Sequence, residues 1–406
     1  MFTAKTLGEA RVTADSDLGL DSFTVCVTVP SSSRDEPGDR IGVTHMLEHL
    51  VMSAPADSRR RSFCDWVSEV GGQANAMTTK ETVVYWARTP PDSAIDCVLR
   101  LTRAIADPAF PDDLCASERR VVLQELLSAA ADPADVATER FYAQLFDGHE
   151  LGRPVGGTAD DFPDFTPREL LSWHRRGLTA RPIAVSLVGP DELMGEAIDA
   201  VAASRLAQSV SSSQDKRKAP RLQESRRVEG FRPAADTDYI CLAVGGSGAS
   251  RRHQLQPAYE VLAALVGGIP GSLLYERLRK ELGAAYQLQT INTAFSDCGA
   301  WRVLAGTTPA EAAAVEKAIF ACLDQVASGR LPEGAFEFAI AQCRGAVLID
   351  NEDPVSRAYL TGARACDELP GESPVRRMES AFKTIDADMV AESAHRVLET
   401  YVAVSS

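Results

Sequence analysis

His45, Glu48 and His49 bring two imidazoles and a carboxylate within five residues of one another. They fall in Gly42-Val43-Thr44-His45-Met46-Leu47-Glu48-His49-Leu50, at positions i, i+3 and i+4. On a helix those positions are neighbours on one face. Two imidazoles one turn apart can share a zinc ion, and a carboxylate beside them can take a proton from water held at the metal. Leu47, Leu50 and Val51 would then face a core. The competing reading is a solvated helix face on which two histidines and a glutamate meet by chance. Against it, the chain has six histidines and two of them fall here. His149, His174, His253 and His395 have no partner at ligand spacing and read as structural or exposed.

A catalytic zinc site typically takes three protein ligands and keeps one position open. A second helix, from about Asp113 to Ala131, carries Glu118 and Glu125. Seven residues apart, they lie on one face, two turns from each other. Read by themselves, they are better explained as surface carboxylates balanced by Arg119 and Arg120.

The strands and helices around these residues repeat along the chain. At 406 residues the sequence is longer than one usual domain. Its clearest composition break runs from Ser209 to Arg227, polar and without periodicity. Phe23, Val25, Val27 and Val29 alternate with Thr24, Cys26 and Thr28, the pattern of a strand with one buried face. Tyr239–Val244 repeats it about 216 residues later, and Thr82–Trp86 has a counterpart near Ala300–Leu304. Each half closes on a strand, Ile183–Leu187 and Tyr401–Ser405. Constant register over that length predicts an internal duplication. The expectation is an α+β chain of two homologous domains, each a mostly antiparallel sheet packed against helices. Residues 1–208 form the first, 209–227 a linker and 228–406 the second.

Composition narrows the function classes. Against 57 acidic residues there are 42 basic ones, a net charge of −15, which disfavours polyphosphate and hence nucleic-acid binding. No apolar run approaches the length that spans a bilayer, and the N-terminus lacks the apolar core of a secretory signal. Nine scattered cysteines without a Cys-x-x-Cys pair read as reduced thiols in a cytoplasm. No Gly-x-Ser-x-Gly elbow points to a serine hydrolase.

His45-Met46-Leu47-Glu48-His49 is His-x-x-Glu-His, the reverse of the His-Glu-x-x-His order of other zinc proteases. It follows Ser33-Arg34-Asp35-Glu36-Pro37, and Glu125 comes 76 residues after His49 within Glu118-Arg119-Arg120-Val121-Val122-Leu123-Gln124-Glu125. Between them stands Gly71-Gly72-Gln73-Ala74-Asn75-Ala76-Met77-Thr78, and the second half holds Arg277–Tyr286. With these elements in this order, essentially the whole chain resembles the pitrilysin/insulinase (inverzincin) family of zinc metallopeptidases. It is most similar to the two-domain branch that includes mitochondrial processing peptidase and its bacterial relatives.

The resemblance implies the family's metallohydrolase-like fold and a zinc-dependent endopeptidase. His45, His49 and Glu125 would ligate one zinc per chain, and Glu48 would be the general base. Glu118 would orient a histidine ligand or support the proton relay. Asn75 and Ala76 would present amide and backbone groups to an extended peptide. Arg279 and Tyr286 would anchor substrate and help stabilise the oxyanion. At the second-half position matching the motif, Val261-Leu262-Ala263-Ala264-Leu265, no ligand set survives. The family encloses its chamber with about four such domains, which implies a homodimer, or a heterodimer with a related subunit. Val51-Met52-Ser53-Ala54-Pro55 and Gly271-Ser272-Leu273-Leu274-Tyr275 depart from the family pattern and bear on substrate preference rather than on the metal set. A non-catalytic or partner-dependent subunit, and a dedicated leader-peptide maturation peptidase, are the alternatives.

Overall fold

The computed structural model describes residues 1–56, 60–208, 217–222, 238–283 and 287–406. Most of the expected linker, 209–216 and 223–227, lies outside them. The chain forms two compact units, and neither is continuous in sequence. One comprises Met1–Leu127, Pro154–Lys216 and Ile349–Arg377, the other Ser128–Arg153, Arg217–Leu348 and Met378–Ser406.

The first unit is built on β1 (Phe2–Leu7), β2 (Ala10–Ser16), β3 (Phe23–Val29), β4 (Gln73–Thr78), β5 (Val83–Thr89) and β6 (Ala184–Gly189). Their order is β1-β2-β6-β3-β5-β4, antiparallel except where β2 meets β6. Among the described residues β4 is therefore an edge strand, paired with β5 alone.

Every residue of β3 is buried, so the expectation of one buried face needs correction. Phe23, Val25 and Val27 join the main core with Val98, Leu101 and Ile105 of the helix Ala94–Ala106. Cys26 on the opposite face packs with Ala358 of a helix from the far end of the chain, Pro354–Asp367. That helix is fixed by charge: Arg357 pairs with Asp15 and Asp17, each at 2.9 Å. Arg11 donates to the carbonyls of Ala365 and Cys366 at its C-terminal end, at 2.8 and 2.7 Å.

The second unit carries β7 (Ile240–Gly248), β8 (Gln287–Ala294), β9 (Gly299–Thr307) and β10 (Val402–Ser405), all antiparallel in the order β10-β7-β9-β8. This repeats β6-β3-β5-β4 of the first unit strand for strand. Even the register recurs, since Asn75 lies opposite Trp86 and Asn292 opposite Trp301. The chain is thus two homologous domains of one fold, each a sheet with flanking helices. A helix from the first half, Pro133–Leu145, belongs to the second unit, where Arg140 donates to the Ser405 carbonyl at 2.8 Å.

Candidate metal centre

The helix Val43–Ser53 carries the motif, with Val43, Met46, Leu47, Leu50, Val51 and Met52 buried. That apolar face turns His45, Glu48 and His49 together to the other side. The helix begins at Gly42, whose φ of 92° lies in the left-handed region that favours glycine. A Cβ at Gly42 would also lie only 2.4 Å from the Gly156 carbonyl oxygen. Glycine cannot cap with a side chain, so Glu36 does so from outside the helix. Its two carboxylate oxygens accept from Gly42 N at 2.8 Å and Thr44 N at 2.7 Å. A carboxylate at a helix N-terminus satisfies orphan donors and complements the dipole.

The second helix spans Asp112–Ala131. Glu125 Oε2 lies 3.6 Å from His45 Nε2 and 3.3 Å from His49 Nε2. Glu118 Oε2 lies 3.3 Å from the other ring nitrogen of His49, Nδ1. The two glutamates thus bracket one imidazole, one on each nitrogen. The side chains of His49 and Glu118 are each 15% exposed, whereas that of Glu125 is 51% exposed and open to solvent. Arg119, the expected counter-charge, turns instead to Asp164 and to the ring of Phe162.

Burial pushes the His45 imidazole down to about 4; His49 adds to the shift and Glu125 opposes it. His45 is therefore neutral at pH 7, and its lone pair is available to a cation. Its Nδ1 is buried without a hydrogen-bond partner among the described residues, and Nε2 is the nitrogen turned toward Glu125. One atom each from His45, His49 and Glu125 lies within 4.8 Å of the others. Two imidazole nitrogens and one carboxylate oxygen, converging beside an open side, fit a three-ligand zinc site.

Glu48 stands next in the helix, and its Oε2 accepts from the Thr78 hydroxyl at 2.5 Å. Burial raises the Glu48 carboxyl above the usual carboxylate range, and the Thr78 hydrogen bond opposes that shift. Thr78 was not singled out by the spacing argument, because its role depends on β4 lying against the motif helix. Gly156 was missed for the same reason: only the folded loop sets it against the His45 ring.

Asn75 and Ala76 lie in β4, where the Asn75 side-chain oxygen accepts from Ala76 N at 2.9 Å. Arg279 belongs to the helix Tyr275–Leu282 of the second unit, its guanidinium 5.4 Å from the centre of the Tyr275 ring. Tyr286 lies outside the described residues.

Comparison with known proteins gives this arrangement a lineage. Residues 11–159 match the insulinase family, peptidase family M16, and residues 164–343 match the peptidase M16 inactive domain. The chain belongs to the M16, or pitrilysin/insulinase, family. An uncharacterised zinc protease of Mycobacterium leprae is 29% identical over 402 residues, covering 96% of this chain and 88% of that protein. The fold is shared with a protease from Helicobacter pylori, at a TM-score of 0.85, 19% identity and coverage of 100% and 99%. It is also shared with a chain of complex III2 from Candida albicans with Inz-5 bound, at a TM-score of 0.83, 13% identity and coverage of 100% and 95%.

Proposed function

We propose that this protein is a zinc-dependent endopeptidase that hydrolyses peptides or unfolded segments, with one zinc per chain held by His45, His49 and Glu125. The observation that carries the reading is the convergence of those three donors beside Glu48 and an open sheet edge. The zinc protease named among its relatives supports the same chemistry. Zinc bound there supplies Lewis acidity toward a peptide carbonyl and toward water.

The chain's own residues do the rest. Glu48 takes a proton from the attacking water and returns it to the leaving amine. Glu118 holds the His49 ring through Nδ1, fixing its orientation. The open edge of β4 receives an extended peptide by main-chain hydrogen bonds, with Asn75 and Ala76 at the point of contact. Arg279 and Tyr286 anchor substrate and stabilise the developing oxyanion. Residues 1–208 serve as the catalytic domain and 228–406 as its zinc-free homologue, joined by 209–227. Two chains pair as a homodimer around a closed chamber in the cytoplasm, and that enclosure restricts substrates to flexible chains. Removal of the leader segment of one precursor is the narrower form of the same reading.

The test is a panel of 10–30-residue peptides followed by mass spectrometry, with the protein as purified, after chelation and after zinc is restored. Cleavage that disappears with the metal and returns with it supports the reading. No cleavage with one zinc bound per chain would favour a partner-dependent subunit instead.

A further inference from the structure

The side chains of β4 alternate in exposure: Gln73, Asn75 and Met77 point to solvent, while Ala74, Ala76 and Thr78 are half-buried. Ala74 and Ala76 pack against the core that also contains Met46, Leu47 and Leu50 of the motif helix. Thr78 is the third residue on that face and the last of the strand. Methyl side chains suffice at the first two positions, whereas the third places a hydroxyl against the Glu48 carboxylate, at 2.5 Å. An ionised carboxylate can only accept, so the hydroxyl donates.

The turn that follows holds Thr78 in place. Thr79 Oγ1 donates to the Thr82 carbonyl at 3.1 Å and accepts from Thr82 N at 3.0 Å. Ser32 Oγ donates to the Thr79 carbonyl, and Arg34 N donates to the Lys80 carbonyl at 2.9 Å. Arg34 pairs with Glu81 at 2.7 Å, with side chains only 2% and 3% exposed. A buried ion pair with good geometry resists rearrangement, because separating it strands a charge. The segment that precedes the motif helix, residues 32–36, is thereby tied to the end of β4.

We infer that Thr78 is a positioning residue: it holds Glu48 through Oε2 and fixes the carboxylate plane, so that proton transfer runs through Oε1. In that transfer a water O–H bond breaks as the Oε1–H bond forms, and the proton later passes from Oε1 to the leaving nitrogen. The strand that receives the peptide is also the strand that aligns the base. Loading of substrate and alignment of Glu48 thus share one rigid element. The kinetic consequence rests on the peptidase reading; the contact between the two residues does not.

Two arms test it, both on the full-length, zinc-loaded protein. In the kinetic arm, Thr78→Val removes the hydroxyl at nearly constant shape and Thr78→Ser restores it. With a peptide cleaved by the parent, the valine variant should lose kcat by roughly tenfold to a hundredfold. KM should stay within about twofold and the zinc content should be unchanged, while the serine variant should recover to within about threefold. Unchanged kcat in the valine variant, a loss confined to KM, or a serine variant as impaired as valine would overturn the role.

The thermal arm needs no turnover. Thr78→Val should lower Tm by about 2 °C in the parent and by much less in a Glu48→Ala background, where the acceptor is gone. Equal shifts in both backgrounds would refute the contact. A parent that cleaves nothing would favour the partner-dependent subunit, while the thermal arm still decides the Thr78–Glu48 link.

Discussion

Gly156 lies directly against the imidazole of His45: a Cβ added there would stand 2.7 Å from His45 Nδ1 and 2.8 Å from Leu126 Cδ2. The backbone of one loop therefore forms the wall behind a ring whose other nitrogen faces Glu125. Gly156 does not have the left-handed backbone that strains other residues, so contact alone opposes a side chain. Gly156→Ala is expected to tilt the ring and weaken zinc binding by roughly 10–100-fold, the usual range for losing a ligand's support. Chelator competition measures it, and unchanged affinity would show that His45 is held by other contacts.

Glu118 touches His49 at the nitrogen that Glu125 leaves free. Glu118→Ala should weaken zinc affinity by a similar roughly 10–100-fold factor, with Glu118→Gln less affected because an amide oxygen still accepts. The same competition assay applies. Equal affinity in both variants and the parent would reduce Glu118 to a surface charge.

Glu36 caps the motif helix with both oxygens and is buried. In Glu36→Gln an NH2 replaces one acceptor and faces a backbone N–H, so unfolding stability should fall by about 1–3 kcal/mol. Urea titration provides the value. A loss below the error of the extrapolation would mean that the helix start is held by packing around Gly42.

His174 is buried, with Nε2 at 2.6 Å from the Ile105 carbonyl, and burial pushes its pKa down to about 4. The folded form binds its proton less readily than the unfolded chain, whose histidine titrates near ~6.5. Stability from this group is therefore complete above about pH 6.5 and is lost as pH falls toward 4, by about 3 kcal/mol in all. His174→Gln keeps a donor for Ile105 without titrating in that window. Its stability should approach and then exceed the parent's on acidification, in chemical denaturation at pH 7, 5.5 and 4. Parallel curves would place the acid sensitivity elsewhere.

The motif was legible because helical spacing alone joins His45, Glu48 and His49, and the seven-residue separation puts Glu118 and Glu125 on one face. Spacing left open what those glutamates meet; the fold decides it by setting them on the two nitrogens of His49. The duplication was also legible in the offset of about 216 residues between Phe23–Val29 and Tyr239–Val244, and the fold repeats it in register, with Asn75 and Asn292 at matching positions. The second covering of β3 was not. Thr24, Cys26 and Thr28 are small and polar enough to read as an outward face, and the helix that buries them lies more than 300 residues away. Thr78 and Gly156 carry no local pattern of their own, because their importance is a matter of tertiary contact.

The proposed role of Glu48 is that of the base of a zinc peptidase. It is tested most directly by comparing the parent with Glu48→Gln for bound zinc and for cleavage of the peptide panel. One zinc per chain is expected in both proteins, with cleavage by the parent and a loss of at least about a hundredfold in the variant. Equal cleavage by both proteins at equal zinc content would contradict it.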